Sequence, residues 1–327
     1  MTGLPDPAAP LSADAAADAF ALILDGRVAD DALAGFLVAL ADRGETVIEI
    51  VAAARALRAR MVPGPMAPHA IDVCGTGGDG MHSLNISTAV SLVVAACGVK
   101  VAKHGNRAAS STSGAADVLA ALGVPELAPH RLGPCLEQVG ITFLHSARHH
   151  PAMARVAPVR RQLARRTIFN MLGPLANPAG VTRQLVGVFA PGPVALMAGA
   201  LHALGSDAAL VVHGDGFDEI AISGATTAMR LAGGALATAE ITPADAGLPV
   251  HPASDLKGGD PAYNAARLRA LLGGTQGAYR DIVLLNAAAA LTLVTPGVSL
   301  ADAASTAAAA IDSGAAADVL ARWTDFR

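Results

Sequence analysis

The spacing of apolar residues near the start of the chain predicts three consecutive helices. Ser12 is a suitable N-cap and Gly26 a suitable C′ residue for the first helix, which carries Phe20 on its apolar face. A stripe at positions 33, 36, 37 and 40 has the i, i+3, i+4, i+7 spacing of a second helix, which Gly44 ends. A third helix is predicted over 48–61. The segment MVPGPMAP then places three prolines within eight residues, which indicates a linker and a domain boundary.

After this linker, short buried strands alternate with helices. A strand that ends at Cys74 precedes a glycine turn, a helix over 88–97, a strand over 99–102 and a helix over 115–122, and a further strand is predicted over 208–212. This alternation predicts an α/β fold with a central, mostly parallel sheet. We therefore expect a helical domain at 1–66, with a returning segment at about 152–182, and an α/β domain formed by 67–151 and 183–327.

Composition narrows the possible classes of protein. The chain has 327 residues, of which 53% are hydrophobic and 15% charged, and this excludes a disordered chain or a coiled-coil rod. A net charge of -4 argues against general nucleic-acid binding. The uncharged run 282–300 is long enough to cross a bilayer, but Asn286, Pro296 and Gly297 are expected to break it. Three cysteines without C-x-x-C spacing and the absence of a signal-peptide pattern predict a reduced, cytoplasmic location.

A glycine-rich segment, DVCGTGGDGMHSLN at 72–85, is the first candidate for chemistry. Its glycines satisfy G-x-G-x-x-G, but a dinucleotide site also needs an acidic residue after the second strand, where this chain has Lys103. Lys103 is one of only three lysines and lies in KHGNRAASSTSG, next to Arg107 and several hydroxyl groups. A glycine loop followed by such a cluster favours a sugar phosphate or diphosphate ligand.

Other candidate side chains lie further along the chain. Asp218 and Glu219 follow a predicted strand and are either Mg²⁺ ligands shared with a diphosphate or a solvated turn. His145 and His149 have the i, i+4 spacing of zinc ligands, but surface or loop histidines are the favoured interpretation because no acidic residue lies between them. The arginine pairs at 160–161 and 165–166 could bind a carboxylate or form a solvated helix face.

Taken together, these motifs closely resemble the anthranilate phosphoribosyltransferase family. The resemblance rests on GTGGDG followed by NIST, on KHGNR-x-x-SS-x-SG, and on HPAMARVAPVRRQLARRTIFNMLGPLANP, and it covers nearly the whole chain. It implies a nucleoside-phosphorylase-like transferase fold and a homodimer formed through the helical domains. It also implies transfer of the 5-phosphoribosyl group from phosphoribosyl diphosphate (PRPP) to the amine of anthranilate, giving N-(5-phosphoribosyl)anthranilate and diphosphate in tryptophan biosynthesis.

The resemblance also implies roles for individual residues. Anthranilate would contact Gly75, Asn106 and Arg161, and two Mg²⁺ ions per subunit would be held by Ser87, Asp218 and Glu219. Lys103 would act electrostatically, and no residue is expected to be a general base. The family commonly has Gly where this chain has Ala164, which is expected to stiffen the helix beside Arg161. The implied PRPP site comprises Gly75, Gly78, Asp79, Ser83, Asn85, Ile86, Ser87, Thr88, Lys103, His104, Gly105, Asn106, Arg107, Ala108, Ala109, Ser110, Ser111 and Ala115.

Two other classes of protein are alternatives to this interpretation. A nucleoside phosphorylase would share the architecture and the anion-binding loop, but the Asn106 and Arg161 pair argues against it. A nucleic-acid-binding relative without catalysis would need a basic groove, which the net charge of -4 disfavours. We therefore expect PRPP and anthranilate as partners, with neither nucleic acid nor membrane.

Overall fold

The computed structural model describes residues 3–107 and 112–327. Within these ranges, seven strands form one sheet in the order β3-β2-β1-β4-β5-β6-β7. The first five strands in that order run parallel, and the last two extend the sheet as antiparallel strands. The predicted mostly parallel sheet is thus confirmed. The strands are β1 (Ile71–Gly75), β2 (Val101–Gly105), β3 (Ile141–His145), β4 (Arg183–Gly187), β5 (Ala208–Gly214), β6 (Thr226–Ala232) and β7 (Ala235–Ile241).

Helices cover both faces of this sheet and form the amino-terminal part of the chain. In the described ranges they are α1 (Ala13–Leu24), α2 (Asp30–Arg43), α3 (Val47–Arg58), α4 (Ile86–Ala96), α5 (Ala115–Ala121), α6 (Pro129–Val139), α7 (Ser146–His149), α8 (Met153–Leu163), α9 (Leu172–Leu175), α10 (Pro193–Ala203), α11 (Pro261–Leu272), α12 (Ala278–Val294), α13 (Leu300–Asp312) and α14 (Ala315–Asp325). The Ser12 side chain caps α1 by accepting a hydrogen bond from the Ala15 N–H. Gly26, just beyond α1, has a φ of +69°, as expected for a C′ glycine.

The amino-terminal helices share one apolar cluster with later parts of the chain. The Phe20 ring meets Phe36 edge-on at 6.2 Å and Phe169 at 6.4 Å between ring centres. Helix α8 packs on α1 and α2, and α10 packs on α3 and on the sheet. The segment around 152–182 therefore returns to the amino-terminal helices, while the division of the chain into two domains stays a prediction.

The opposite face of the sheet is covered chiefly by α4 and α12. Helix α12 continues unbroken through Asn286, which contradicts the expected break there. Asn286 is fully buried, and its side-chain amide both accepts from the Ile220 N–H and donates to the Ile220 carbonyl, each at 2.9 Å. The helix ends before Pro296, as expected. No helix in the described ranges combines the length and apolar character needed to cross a membrane.

Strand β2 lies further along the chain than its apolar residues suggested. It covers Val101–Gly105 and pairs along its whole length with β3, instead of ending at Ala102. Lys103 and His104 are therefore inside the strand, with exposed fractions of only 1% and 5%. A buried strand can carry these polar side chains because other polar groups form hydrogen bonds with them.

Candidate active site

The carboxyl ends of β1, β2 and β5 surround a cavity of about 430 Å³. This is the edge at which an open α/β sheet usually binds its ligands. Fifteen of the sequence-predicted site residues line the cavity: Gly75, Gly78, Asp79, Ser83, Asn85, Ile86, Ser87, Lys103, His104, Gly105, Asn106, Arg107, Ala115, Asp218 and Glu219.

The glycine loop approaches the Asp218 carboxylate very closely. The Gly77 N–H donates to Asp218 Oδ2 at 2.7 Å. A Cβ atom on Gly75 would lie 2.2 Å from the same oxygen, and one on Gly187 would lie 1.5 Å from the Asp218 carbonyl oxygen. Gly75 and Gly187 are paired between β1 and β4. The absence of a side chain at these two paired positions thus leaves the space into which Asp218 fits.

Three carboxylates, those of Asp79, Asp218 and Glu219, share one side of the cavity. Asp79 Oδ2 accepts a hydrogen bond from the Asp218 N–H at 3.3 Å. Burial and the nearby Asp79 charge raise the pKa of Asp218 to about 7. Burial and then the Asp218 charge also raise the pKa of Glu219. The charge of Lys103 lowers the pKa of Glu219, but it offsets only part of the negative charge of three carboxylates, which a bound divalent ion relieves.

Lys103 lines the same cavity and is almost completely buried. Its Nζ donates to the Val73 carbonyl at 2.7 Å and to Ser87 Oγ at 3.2 Å. Burial lowers the pKa of Lys103, and the charge of Asp72 is the largest effect that opposes this shift. Asp72 is itself bound by the His104 N–H at 3.1 Å and by Asn177 Nδ2 at 2.8 Å. The ammonium group is therefore held at the cavity wall by a buried polar network.

The donor set fits Mg²⁺ when a phosphate ligand completes it. Asp218, Glu219 and the Ser87 hydroxyl offer hard oxygen ligands on one side of the cavity. Within residues 3–107 and 112–327, no three His, Cys, Asp or Glu side chains are grouped so as to hold a metal ion. Mg²⁺ is commonly held by one or two carboxylates together with substrate phosphates and water. The site therefore suits an ion that arrives with a polyphosphate.

A second polar network supports the start of α4. The Asn85 side chain accepts from Asn264 Nδ2 at 2.9 Å and from Ser113 Oγ at 3.2 Å, and it donates to the Ser113 carbonyl at 3.1 Å. Asn264 also accepts the Gly259 N–H at 2.8 Å, so it ties the 257–260 loop to the cavity. Sequence reasoning missed Asn264. The available signal was an Asn at a helical position that the apolar pattern marks as buried.

This chain is 54% identical to an anthranilate phosphoribosyltransferase from Novosphingobium aromaticivorans over 325 residues, which cover 99% of this chain and 98% of that protein. One from Sphingopyxis alaskensis is 53% identical over the same shares of both chains. Two family models also match, a glycosyl transferase helical bundle domain at 7–61 and a glycosyl transferase a/b domain at 67–317. The chain belongs to the anthranilate phosphoribosyltransferase family.

Solved structures from this family have the same fold. An anthranilate phosphoribosyltransferase from Thermus thermophilus superposes with a TM-score of 0.92 at 43% identity, covering 98% of this chain and 96% of that one. An anthranilate phosphoribosyltransferase from Saccharomyces cerevisiae, in complex with PRPP and Mg, gives a TM-score of 0.88 at 27% identity, covering 96% and 93%.

The two adjacent arginines of α8 have different surroundings. Arg160 lines the cavity, together with Phe169, Asn170 and Gly173, whereas Arg161 is exposed and lines a neighbouring cavity of about 1040 Å³, which Arg160 also lines; the role implied for Arg161 stays a prediction. Helical geometry explains this difference, because successive residues point about 100° apart. Sequence reasoning could not choose between adjacent arginines without knowing how α8 packs.

Ala164 does not stiffen α8, contrary to the expectation for it. It follows the last residue of α8 and adopts the left-handed conformation with φ +50° and ψ 28°. Thr88 is buried in α4 and does not line the cavity. Ala108, Ala109, Ser110 and Ser111 lie outside the described residues, and their implied roles stay predictions.

His104 was expected in the PRPP site and has an unusual environment there. Burial lowers its pKa to about 3, so the ring is neutral. Nδ1 lies 3.1 Å from the Gly173 carbonyl, and only a protonated Nδ1 can donate to that oxygen. Nε2 is then an acceptor, and it has no partner among the described residues.

Proposed function

We propose that this cavity is where the chain transfers the 5-phosphoribosyl group from PRPP to anthranilate. The observation that carries the proposal is the presence of a buried Lys103 and the carboxylates of Asp218 and Glu219 in one cavity. A magnesium-bound diphosphate supplies a partner for both kinds of group, since its oxygens suit Lys103 and its metal suits the carboxylates. A neutral substrate would supply neither charge.

The residues contribute mainly by positioning and by stabilising charge. Departure of diphosphate from C1 of the ribose places negative charge on the leaving group, which Lys103, the Ser87 hydroxyl and the loop N–H groups offset. Bound Mg²⁺ adds Lewis-acid neutralisation of the diphosphate oxygens. The aromatic amine of anthranilate is uncharged at neutral pH and can attack C1 directly. For this reason no side chain needs to act as a general base, and proximity supplies much of the rate.

The acceptor half of the site uses Arg160 in place of Arg161. The Arg160 side chain is half-buried on the wall that it shares with Asn170 and Gly173. Burial lowers the pKa of Arg160, but the ordinary pKa of a guanidinium is so high that the group stays charged. A guanidinium in this position suits the anthranilate carboxylate. Asn106 lines the opposite part of the same cavity and provides an amide for the acceptor.

Several finer features follow from the family resemblance. The proposal includes two Mg²⁺ ions per subunit, a homodimer formed through the helical domain, and a cytoplasmic location. It also includes the helical domain at 1–66 with its return at about 152–182. The packing of α8 on α1 and α2 supports this domain division.

The test is the loss of anthranilate fluorescence on mixing protein with PRPP, with and without Mg²⁺. We expect a decay that needs both. Lys103→Met should lower kcat/KM for PRPP about a hundredfold or more, roughly 3 kcal/mol of transition-state stabilisation. Lys100→Met is the matched control, because Lys100 lies at the surface and pairs with Glu137. Equal activity of the two variants would remove the role given to Lys103.

The acceptor assignment is tested by a neighbouring pair of variants. Arg160→Met should raise the KM for anthranilate about tenfold or more, because a carboxylate partner is lost from a partly desolvated site. Arg161→Met should change this KM by less than about twofold, since exposed charges contribute little. The reverse order would favour the original assignment to Arg161. Absence of any PRPP-dependent decay in the wild-type protein would overturn the proposed function itself.

A further inference from the structure

A chain of four polar side chains connects the acceptor side of the cavity to the surface. Arg148 Nε lies 2.8 Å from Glu126 Oε1, and the same oxygen lies 3.2 Å from His145 Nδ1. On the other side of the ring, His145 Nε2 lies 3.2 Å from Asn106 Oδ1. His145 is thus the link between a surface ion pair and a residue on the cavity wall.

The orientation of the Asn106 amide is fixed by a third group. Asn106 Oδ1 accepts the Arg107 N–H at 2.9 Å, so the atom that faces the imidazole is the oxygen. Both ring nitrogens of His145 therefore face oxygen acceptors, a carboxylate on one side and an amide on the other. A neutral imidazole has one N–H and one lone pair and can satisfy only one of them. The doubly protonated imidazolium donates to both.

Charged groups surround His145. Its side chain is 13% exposed, and Glu126 is the carboxylate that contacts it. The hydrogen bond from His145 is the largest effect lowering the pKa of Glu126, so Glu126 stays ionised. Two guanidinium groups face the same region, but each has an acidic partner: Arg148 pairs with Glu126 and Arg107 with Asp117.

The remaining neighbours of His145 carry no further negative charge in the described structure. His149 lines the adjoining cavity, and its Nδ1 lies 2.8 Å from the Val62 carbonyl. The Phe143 ring lies beside the imidazole with 6.0 Å between ring centres. Among the described residues, loss of the His145 side chain would therefore leave the Arg107 N–H as the contact that holds Asn106 Oδ1.

We infer that His145 is a positioning residue that, held by Glu126, orients the Asn106 amide for the acceptor. The inference rests on the proposed function, because Asn106 matters only if anthranilate binds beside it. Loss of the imidazole ring weakens the acceptor complex and leaves the contacts to PRPP in place.

The kinetic test separates the KM for anthranilate from that for PRPP. We expect His145→Leu to raise the KM for anthranilate about tenfold, because a hydrogen bond to Asn106 is lost. His145→Gln keeps an N–H donor, so its KM for anthranilate should stay close to the wild-type value. Glu126→Gln keeps the ring and should raise this KM by less than His145→Leu does.

The control variant is His202→Leu, which removes an exposed histidine on α10, away from the cavity. It should have the wild-type KM for both substrates. If His145→Leu does as well, His145 has no positioning role. A rise in the KM for PRPP of His145→Leu as large as that for anthranilate would also overturn the inference.

A spectroscopic readout does not depend on turnover. The ¹⁵N signal of the Asn106 side-chain amide, assigned by its absence in Asn106→Asp, should shift in His145→Leu and stay near its wild-type position in His145→Gln. An unmoved signal in His145→Leu would overturn the inference even in an active enzyme. A shifted signal in a protein that consumes no anthranilate would instead refute the proposed function and, with it, the positioning role.

Discussion

Replacing Gly187 by alanine tests whether the close approach of Asp218 to the sheet is needed for activity. The new Cβ would lie 1.5 Å from the Asp218 carbonyl oxygen, and Cβ atoms essentially never come within 3.0 Å of other atoms. Strand β4 or the Asp218 backbone must therefore move by about 1.5 Å, the difference between these distances. Because the obstacle is backbone, no side-chain rotation relieves it, and overpacking of this kind costs about 1–3 kcal/mol or more.

The same displacement would move the Asp218 carboxylate relative to Lys103. A 1 Å error in positioning can lower a rate on the order of a hundredfold, so we expect at least that loss in kcat/KM for PRPP in Gly187→Ala. The assay is PRPP- and Mg²⁺-dependent loss of anthranilate fluorescence, with unfolding by urea measured in parallel. Gly35→Ala is the control, because it lies in α2 with open space around it and should gain about 0.5–1 kcal/mol of stability. Normal activity and stability of Gly187→Ala would refute the reasoning.

Three further changes have expected outcomes. Glu49→Gln should lower the free energy of unfolding by about 2–3 kcal/mol at pH 7, because Arg43 loses its buried partner at 2.6 Å. Burial opposes ionisation of Glu49, but bonds from Leu11, Thr46 and Arg43 outweigh it and lower its pKa. Its contribution to stability is therefore present above the unfolded-state pKa of about 4.3 and is lost as the pH falls through the lower folded-state pKa, so urea unfolding should show the variant's deficit shrinking in acid. Ala164→Gly should raise the free energy of unfolding in urea by about 1 kcal/mol, since a left-handed φ of +50° strains alanine. The pKa of Asp218, raised to about 7, predicts that magnesium with PRPP binds more weakly at pH 6 than at pH 8 and releases protons, which calorimetry in two buffers would detect.

The features that could be predicted from sequence are those set by local chemistry. Ser12 and Gly26 delimit α1 because a hydroxyl N-cap and a left-handed glycine act on their own turn of helix. The glycine loop and the Lys103 cluster likewise predicted an anion site, and fifteen of the predicted site residues line one cavity. In both cases the residue type itself has few other uses in that local pattern.

The features that could not be predicted depend on partners far along the chain. Lys103 and His104 lie inside β2, where Ser87 Oγ accepts from the Lys103 ammonium group and Asp72 Oδ1 accepts the His104 N–H. A pattern of apolar residues alone ends that strand too early. Asn286 does not break α12 because its amide binds the backbone of Ile220, 66 residues away. Which of the adjacent Arg160 and Arg161 lines this cavity depends on how α8 packs on α1 and α2, and no local signal contains that information.

The buried charges of the cavity imply that its two ligands bind cooperatively. Burial lowers the pKa of Lys103 and raises those of Asp218 and Glu219, so each group is less favourably charged than it would be in water. An anion alone relieves Lys103 but adds repulsion to the carboxylates, and a cation alone has the opposite effect. Only a cation and a diphosphate together relieve both. We therefore expect Mg²⁺ to increase the affinity for PRPP and PRPP to increase the affinity for Mg²⁺ by the same factor, as thermodynamic linkage requires.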